Sequence, residues 1–108
     1  MGSDAIERAE RELWRVTTRL AALGPSRCRR PGPDGVSPAD RVRPVLQWAA
    51  DTAAACERRP RRVVPVLGEH ALGDQLVVLA GDLLAAAGDD EAVVEQLHDR
   101  LVALRRGL

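Results

Sequence analysis

The fold is decided by residues 66–87, which have the sequence VLGEHALGDQLVVLAGDLLAAA. Two neighbouring apolar stripes follow a helical spacing in this segment, one containing Leu72 and Leu76 and the other containing Val77 and Leu84. Together the two stripes form an apolar arc that is wider than one face of a helix bundle requires. We therefore predict a helix over 66–87 that is either central to the bundle or part of an interface.

Three further segments place apolar residues at alternating spacings of three and four, which predicts three more helices. We expect them at about 4–23, 38–58 and 90–106, with a kink or a restart of the second helix at Pro44. A long Pro- and Gly-rich loop is predicted over 24–37, because both residue types interrupt regular structure. The predicted fold class is all-α: an antiparallel up-and-down four-helix bundle with a long Pro/Gly-rich first loop, in one domain over 1–108.

The composition indicates a small core and a biased genome. All 16 basic residues are Arg, and Asn, Phe and Tyr are absent, a pattern typical of coding in a GC-rich genome. The only aromatic residues are Trp14 and Trp48, and Ala is abundant. An Ala buries less apolar area than a Leu or a Phe, so we expect either close helix packing or burial against a second copy of the chain.

Several protein classes are excluded by simple criteria. No run of about 18 apolar residues lacks a charge, so we predict no membrane span and no membrane partner. Residues 1–4 have neither the basic nor the apolar region of a secretory signal, so we expect a cytoplasmic protein. Cys28, in the predicted loop, and Cys56 match no metal or redox spacing, and we expect them to be incidental thiols.

Catalytic and metal-binding patterns are scarce, and we predict no catalytic residue, no cofactor and no metal site. Glu95 and His98 have the Glu-x-x-His spacing of di-iron bundles, but the second copy that such a site needs is absent. Whether His70 approaches His98 depends on helix register, which the sequence does not set. No phosphate-binding loop or dinucleotide fingerprint is present.

Two segments of the third helix stand out as candidate functional residues. The run 68–76 is the least generic part of the chain and contains the candidates His70, Gly73 and Asp74. The second apolar stripe and a nearby glycine form a candidate interface, consisting of Val77, Ala80, Gly81 and Leu84.

The formal net charge of zero conceals a segregation along the chain. Residues 24–62 hold nine Arg against four acidic residues, whereas residues 63–108 hold three Arg against eight acidic residues. In an up-and-down bundle, one end would gather basic residues as a candidate site for an anion or a partner, namely Arg58, Arg59, Arg61, Arg62, Arg105 and Arg106.

Three functional hypotheses follow. The first is a non-enzymatic helical module for protein–protein interaction or oligomerisation, whose partner is a second copy or another helical protein. The alternative is that the Arg-rich end binds phosphate groups of a nucleic acid or an acidic partner, although the lack of Lys, of stacking aromatics and of a recognition helix argues against nucleic acid. The second alternative is a small-molecule pocket lined by Leu, Val and the two Trp.

Overall fold

The computed structural model describes the backbone of residues 2–108 and the side chains of residues 4–108. The described chain is all-α, and the predicted four-helix bundle is confirmed. The helices are α1 (Gly2–Arg29), α2 (Pro38–Cys56), α3 (Leu72–Ala87) and α4 (Glu91–Gly107), and a short 3-10 turn at Glu69–Ala71 precedes α3.

The helices pack in two main pairs, α1 with α4 and α2 with α3, and α1 also packs on α3. Arg8 pairs with Glu95, and Glu12 pairs with Arg105, so sequence positions rise together along α1 and α4. These two helices therefore run in the same direction. The helices α2 and α3 also run in the same direction, because their starts lie together. Arg43, near the start of α2, lies 3.8 Å from Glu69, in the 3-10 turn that leads into α3.

The connection between α2 and α3 explains this arrangement and refines the predicted strict alternation of helix directions. Residues 57–68, which we call the strap, contain no helix and run back along α2 from its end to its start. The side-chain amide of Gln47 donates to the carbonyl of Arg62 (3.0 Å) and accepts from the backbone N–H of Val64 (2.9 Å). Gln75 of α3 donates to the carbonyl of Pro65 at 3.0 Å, so the strap is fastened to both helices.

The strap also corrects the predicted helix start at 66. Val66 and Leu67 continue the apolar pattern of α3 in sequence, but both are exposed and non-helical. Pro65 disfavours helical geometry at Val64, and Gly68 has an extended conformation (ψ 158°) immediately before the 3-10 turn, so residues 66 and 67 lie between two non-helical positions. The helical segment therefore begins only at Glu69.

The predicted loop 24–37 is shorter than expected, because residues 25–29 are helical. Gly24 interrupts α1 with a positive φ of 77°, which glycine adopts without steric cost, and Pro25 follows at the start of a new helical turn. Cys28 then packs in the core at 2% exposure, so it is not a loop thiol. Burial of the Cys28 side chain stabilises a helical turn that the local Pro and Gly content disfavours.

The second helix runs without a break through Pro44, so the predicted restart there is wrong. The hydroxyl of Ser37 caps α2 by accepting from the N–H of Asp40 at 3.1 Å. Pro44 lies on the exposed side, where water can bind the carbonyl that its missing N–H leaves without a partner. The helix ends at Cys56 rather than 58, because Arg58 adopts a positive φ of 54°.

The core consists of the apolar stripes predicted from the sequence. Their large members belong to all four helices, and none is aromatic. The largest fully buried side chains are Leu46, Leu72, Leu76, Leu83, Leu97, Leu101, Val16, Val42, Val94 and Cys28. Eight further core residues are alanines, so the predicted small, Ala-rich interior is confirmed.

The buried carboxylate of Glu12 joins α1 to α4. Glu12 is 5% exposed, and its two carboxylate oxygens accept from Arg15 at 2.8 Å and from Arg105 at 2.7 Å. Burial by itself raises the pKa of Glu12, but the hydrogen bonds and positive charges of Arg105 and Arg15 outweigh it, so the pKa lies below its ordinary value.

We predict that Glu12→Ala lowers the free energy of unfolding by about 1–3 kcal/mol, because it leaves Arg105 partly buried without its carboxylate partner. Urea unfolding followed by circular dichroism measures this change. The matched control is Glu10→Ala, at an exposed position of the same helix, which should change stability by less than about 0.5 kcal/mol. Equal losses in the two variants would contradict the role given to Glu12.

The same pair predicts a pH dependence. Because the folded-state pKa of Glu12 is lowered, its stabilising contribution is fully present above the ordinary glutamate pKa of about 4.3 and is lost as the pH falls through the folded-state value. The stability difference between the wild type and Glu12→Gln should therefore be constant near neutral pH and shrink in acid. Urea titrations at a series of pH values test this, and a difference that does not change with pH would refute it.

The attachment of the strap can be tested at one amide. Gln47→Ala should increase the hydrogen-exchange rate of the Val64 N–H several-fold, because that amide loses its acceptor. The control is Gln96→Ala, which removes an exposed glutamine from α4. Unchanged exchange at Val64 in Gln47→Ala would show that the strap is held by other contacts.

Candidate functional site

A groove lies between α2, the strap and α3, and it has a volume of about 640 Å³. Its floor on the α2 side is made of alanines, whose short side chains leave the space open. Leu79 and Val64 contribute to the same floor from α3 and from the strap. The full lining consists of Ala50, Ala53, Ala54, Arg59, Pro60, Arg62, Val63, Val64, Pro65, Leu67, Ala71, Asp74, Gln75, Val78, Leu79 and Asp82.

Large apolar side chains stand at the edge of this groove with much of their surface in water. Val63 is 88% exposed, Val78 is 59% exposed and Leu67 is 46% exposed. We call these three residues the apolar rim. Val66 on the strap and Val77 on α3 are also exposed, and each is adjacent in sequence to a rim residue. The strap and α3 therefore carry five of the six exposed large apolar side chains found in residues 4–108. A cluster of this kind is a feature of binding surfaces.

The helix α3, which forms one wall of the groove, has more apolar residues than the bundle buries. Residues 69–87 have a mean hydropathy of 1.2, and by length and composition alone they could cross a membrane. In the bundle only 28% of this segment is buried. The excess of apolar residues predicted for α3 is therefore located on its exposed side.

The two walls of the groove carry opposite charges. Arg59 and Arg62 lie on the strap, and Asp74 and Asp82 lie on α3, and all four are exposed. Arg59 also pairs with Glu57 at 2.6 Å. Within residues 4–108, the other three take part in no ion pair.

The predicted basic end is not formed. Arg58, Arg59, Arg61 and Arg62 belong to the strap, which lies along α2 and α3. Arg105 instead pairs with Glu12 and lies beside α1, and Arg106 follows it near the C-terminal end of α4. The prediction assumed strict alternation of helix directions, and the return of the strap places the two groups of arginines on different parts of the molecule.

Only some of the four predicted interface residues are exposed in the structure. Ala80 is fully buried and Leu84 is half-buried, whereas Val77 and Gly81 are exposed. Ala80 packs inside the bundle, so it is not available to a partner. Val78, the one residue of the apolar rim that lies on α3, was not among the sequence candidates, and the width of the apolar arc was the only sign of its exposure.

The run with His70, Gly73 and Asp74 lies at the junction of α1 and α3. All three line a depression together with residues from the second half of α1. The adjacent Glu69 lies 3.5 Å from Arg29 and 3.8 Å from Arg43. A hydrogen bond from its own backbone N–H, with the two arginine charges, lowers the pKa of Glu69 against the opposing effect of desolvation. Glu69, next to His70, therefore connects the 3-10 turn to α1 and α2 through these two ion pairs.

The two histidines lie in separate surroundings. His98 belongs to the one group of three metal-ligand side chains found in residues 4–108, with Glu95 and Asp99, whose ligand atoms all lie within 4.8 Å of one another. The Nδ1 atom of His98 is 3.1 Å from Asp99, and Arg8 already pairs with Glu95. His70 is not part of this group.

Neither tryptophan lines the groove, which differs from the pocket expected from the sequence. The guanidinium of Arg100 lies 4.4 Å from the ring centroid of Trp48, so this ring forms a cation–π contact between α2 and α4. Trp14 is 66% exposed on α1, in a small depression with Arg105. The groove is lined by aliphatic residues and charges instead.

Comparisons with known proteins leave the role of the groove open. No protein-family model, no curated protein and no solved structure matches the chain. The functional proposal therefore rests on the shape, the apolar rim and the charges of the groove.

Proposed function

We propose that this protein is a small non-enzymatic helical interaction module that binds an apolar helical segment in the groove between α2, the strap and α3. The observation that carries this proposal is the apolar rim, three large aliphatic side chains that are 46–88% exposed around one groove. Within residues 4–108 no His, Ser, Thr or Cys lines the groove, and this lack of a nucleophile–histidine pair supports a binding role.

Covering the rim would contribute a favourable apolar free energy to association. Fully burying a Val or a Leu contributes about 1.5–3 kcal/mol. Val63, Leu67 and Val78 together would therefore offset a substantial part of the translational and rotational entropy lost on association. The charged residues on both walls supply orientation rather than most of the affinity.

A helix suits this groove better than an extended strand. The walls are a helix and a strap, and in the strap the carbonyls of Arg62 and Pro65 and the N–H of Val64 already bind Gln47 or Gln75 and are not free for strand addition. The alanines of α2 allow a second helix to approach closely, with its side chains packing between Val78 and the strap.

A second candidate function is the binding of a small molecule, and the size of the groove favours it. A volume of about 640 Å³ falls within the range of ligand-binding pockets, roughly 300–1,000 Å³. The ligand would be an amphiphile whose apolar part covers the rim and whose anionic group meets Arg59 and Arg62. Under this alternative, an anionic amphiphile would stabilise the monomer against heat, and Arg62→Ala would reduce the stabilisation.

The interaction proposal predicts a defined mutational effect. Selection from a displayed library of amphipathic helical peptides should enrich ligands for the wild type, and Val78→Asp should weaken the selected ligands at least tenfold, because it places a charge in the apolar rim. Fluorescence anisotropy with the selected peptides measures the affinities. The control is Ala103→Asp, at an exposed position of α4 outside the groove.

Two results would contradict the proposal. One is a failure of the wild type to enrich any peptide above the level of Val78→Asp. The other is an equal loss of affinity in Val78→Asp and Ala103→Asp, which would show that the binding site lies elsewhere or that added negative charge acts without regard to position.

A further inference from the structure

The groove carries both a projection and a recess on one surface. Val78 projects from α3 at one edge, and the alanine floor of α2 lies beside it. A surface that holds both complementary shapes can bind a copy of itself through a two-fold axis, because each copy then supplies the projection for the recess of the other.

The charges of the groove have the same self-complementary arrangement. Arg59 and Arg62 lie on the strap side, and Asp74 and Asp82 lie on the α3 side. A two-fold axis that runs along the groove exchanges the two sides, so the strap of one copy faces α3 of the other. Each arginine pair then meets the aspartate pair of the opposite copy.

The composition of the core adds an independent reason for association. Eight of the buried apolar residues are alanines and none is aromatic, so these core positions bury less apolar area than Leu or Phe would at the same places. The apolar rim holds three of the six large apolar side chains that residues 4–108 leave exposed. Covering it would increase the buried area without any change in the bundle.

We propose that the occupant of the groove is a second copy of this chain, in a two-fold dimer in which α3 of each protomer lies against the strap and groove of the other. This inference rests on the proposed function, since it names the partner of the same surface. In the dimer, Arg59 and Arg62 pair with Asp74 and Asp82 of the partner subunit, and Val78 of each copy packs against the alanine floor opposite.

Sedimentation equilibrium with two charge-reversed variants tests the dimer. The first variant is Arg59→Asp with Arg62→Asp, and the second is Asp74→Arg with Asp82→Arg; all four positions are exposed, so both chains retain their cores. The wild type should show a dimer whose population rises with concentration. Each variant alone should dimerise at least tenfold more weakly, because like charges then face each other.

Mixing the two charge-reversed variants gives the most direct test of the charge contacts. An equimolar mixture should restore the dimer as a heterodimer, because both charge contacts become attractive again. The control pair, Asp99→Arg and Arg106→Asp, reverses exposed charges on α4 outside the groove and should leave the wild-type dimerisation constant unchanged.

The failures are distinguishable. A wild type that stays monomeric while it still binds helical peptides in a Val78-dependent manner overturns the second copy and leaves the interaction module intact. A dimer that is insensitive to Val78→Asp and to both charge reversals overturns this mode of association. Binding of the wild-type monomer to phosphatidylcholine–phosphatidylglycerol vesicles, with no dimer in solution, would assign the apolar rim to a lipid surface and also overturn the proposal.

Discussion

The return of the strap along α2 is the constraint on which the arrangement of this small bundle depends, and the side-chain amide of Gln47 holds the strap in the middle of that path. Gln47 holds the strap at Arg62 and Val64, and this attachment lays the connection along α2 instead of leaving it at the end of the bundle. Because the chain has returned to the start of α2 before α3 begins, the two helices run in the same direction. The strap then remains between them as one wall of the groove, with its arginines opposite the aspartates of α3.

The helices themselves were largely predictable, because their apolar stripes are local patterns. The stripes of α1, α2 and α4 occupy the core as predicted, and Asp90 caps α4 by accepting from the N–H of Val93 at 3.3 Å. The errors lie where tertiary contacts override local preference. Residues 25–29 are helical because Cys28 is buried, and residues 66–68 are not helical because they form the last part of the strap.

The candidate site was predictable only in part, for the same physical reason. The width of the apolar arc on α3 correctly indicated that this helix exposes apolar surface, and Val77 and Gly81 do lie on that side. Which residues form the apolar rim depends on the position of the strap. That position is held by side-chain hydrogen bonds between residues far apart in sequence. Val63 and Val78 are 15 positions apart in the chain, and no helical spacing relates them. The separation of Arg59 from Arg105 likewise follows from helix direction.

The segregation of charge along the neutral chain contributes to the groove, because Arg59 and Arg62 come from the Arg-rich part before residue 63, whereas Asp74 and Asp82 come from the acidic part after it. The measurement that tests the dimer most directly is an intermolecular electron–electron distance between spin labels on Cys56, which is exposed at the end of α2, whereas Cys28 is buried. Two-fold association predicts a single narrow distance distribution with the modulation depth of two spins per particle. A decay with no modulation beyond that of dispersed monomers, or a broad distribution from unspecific contacts, would contradict it.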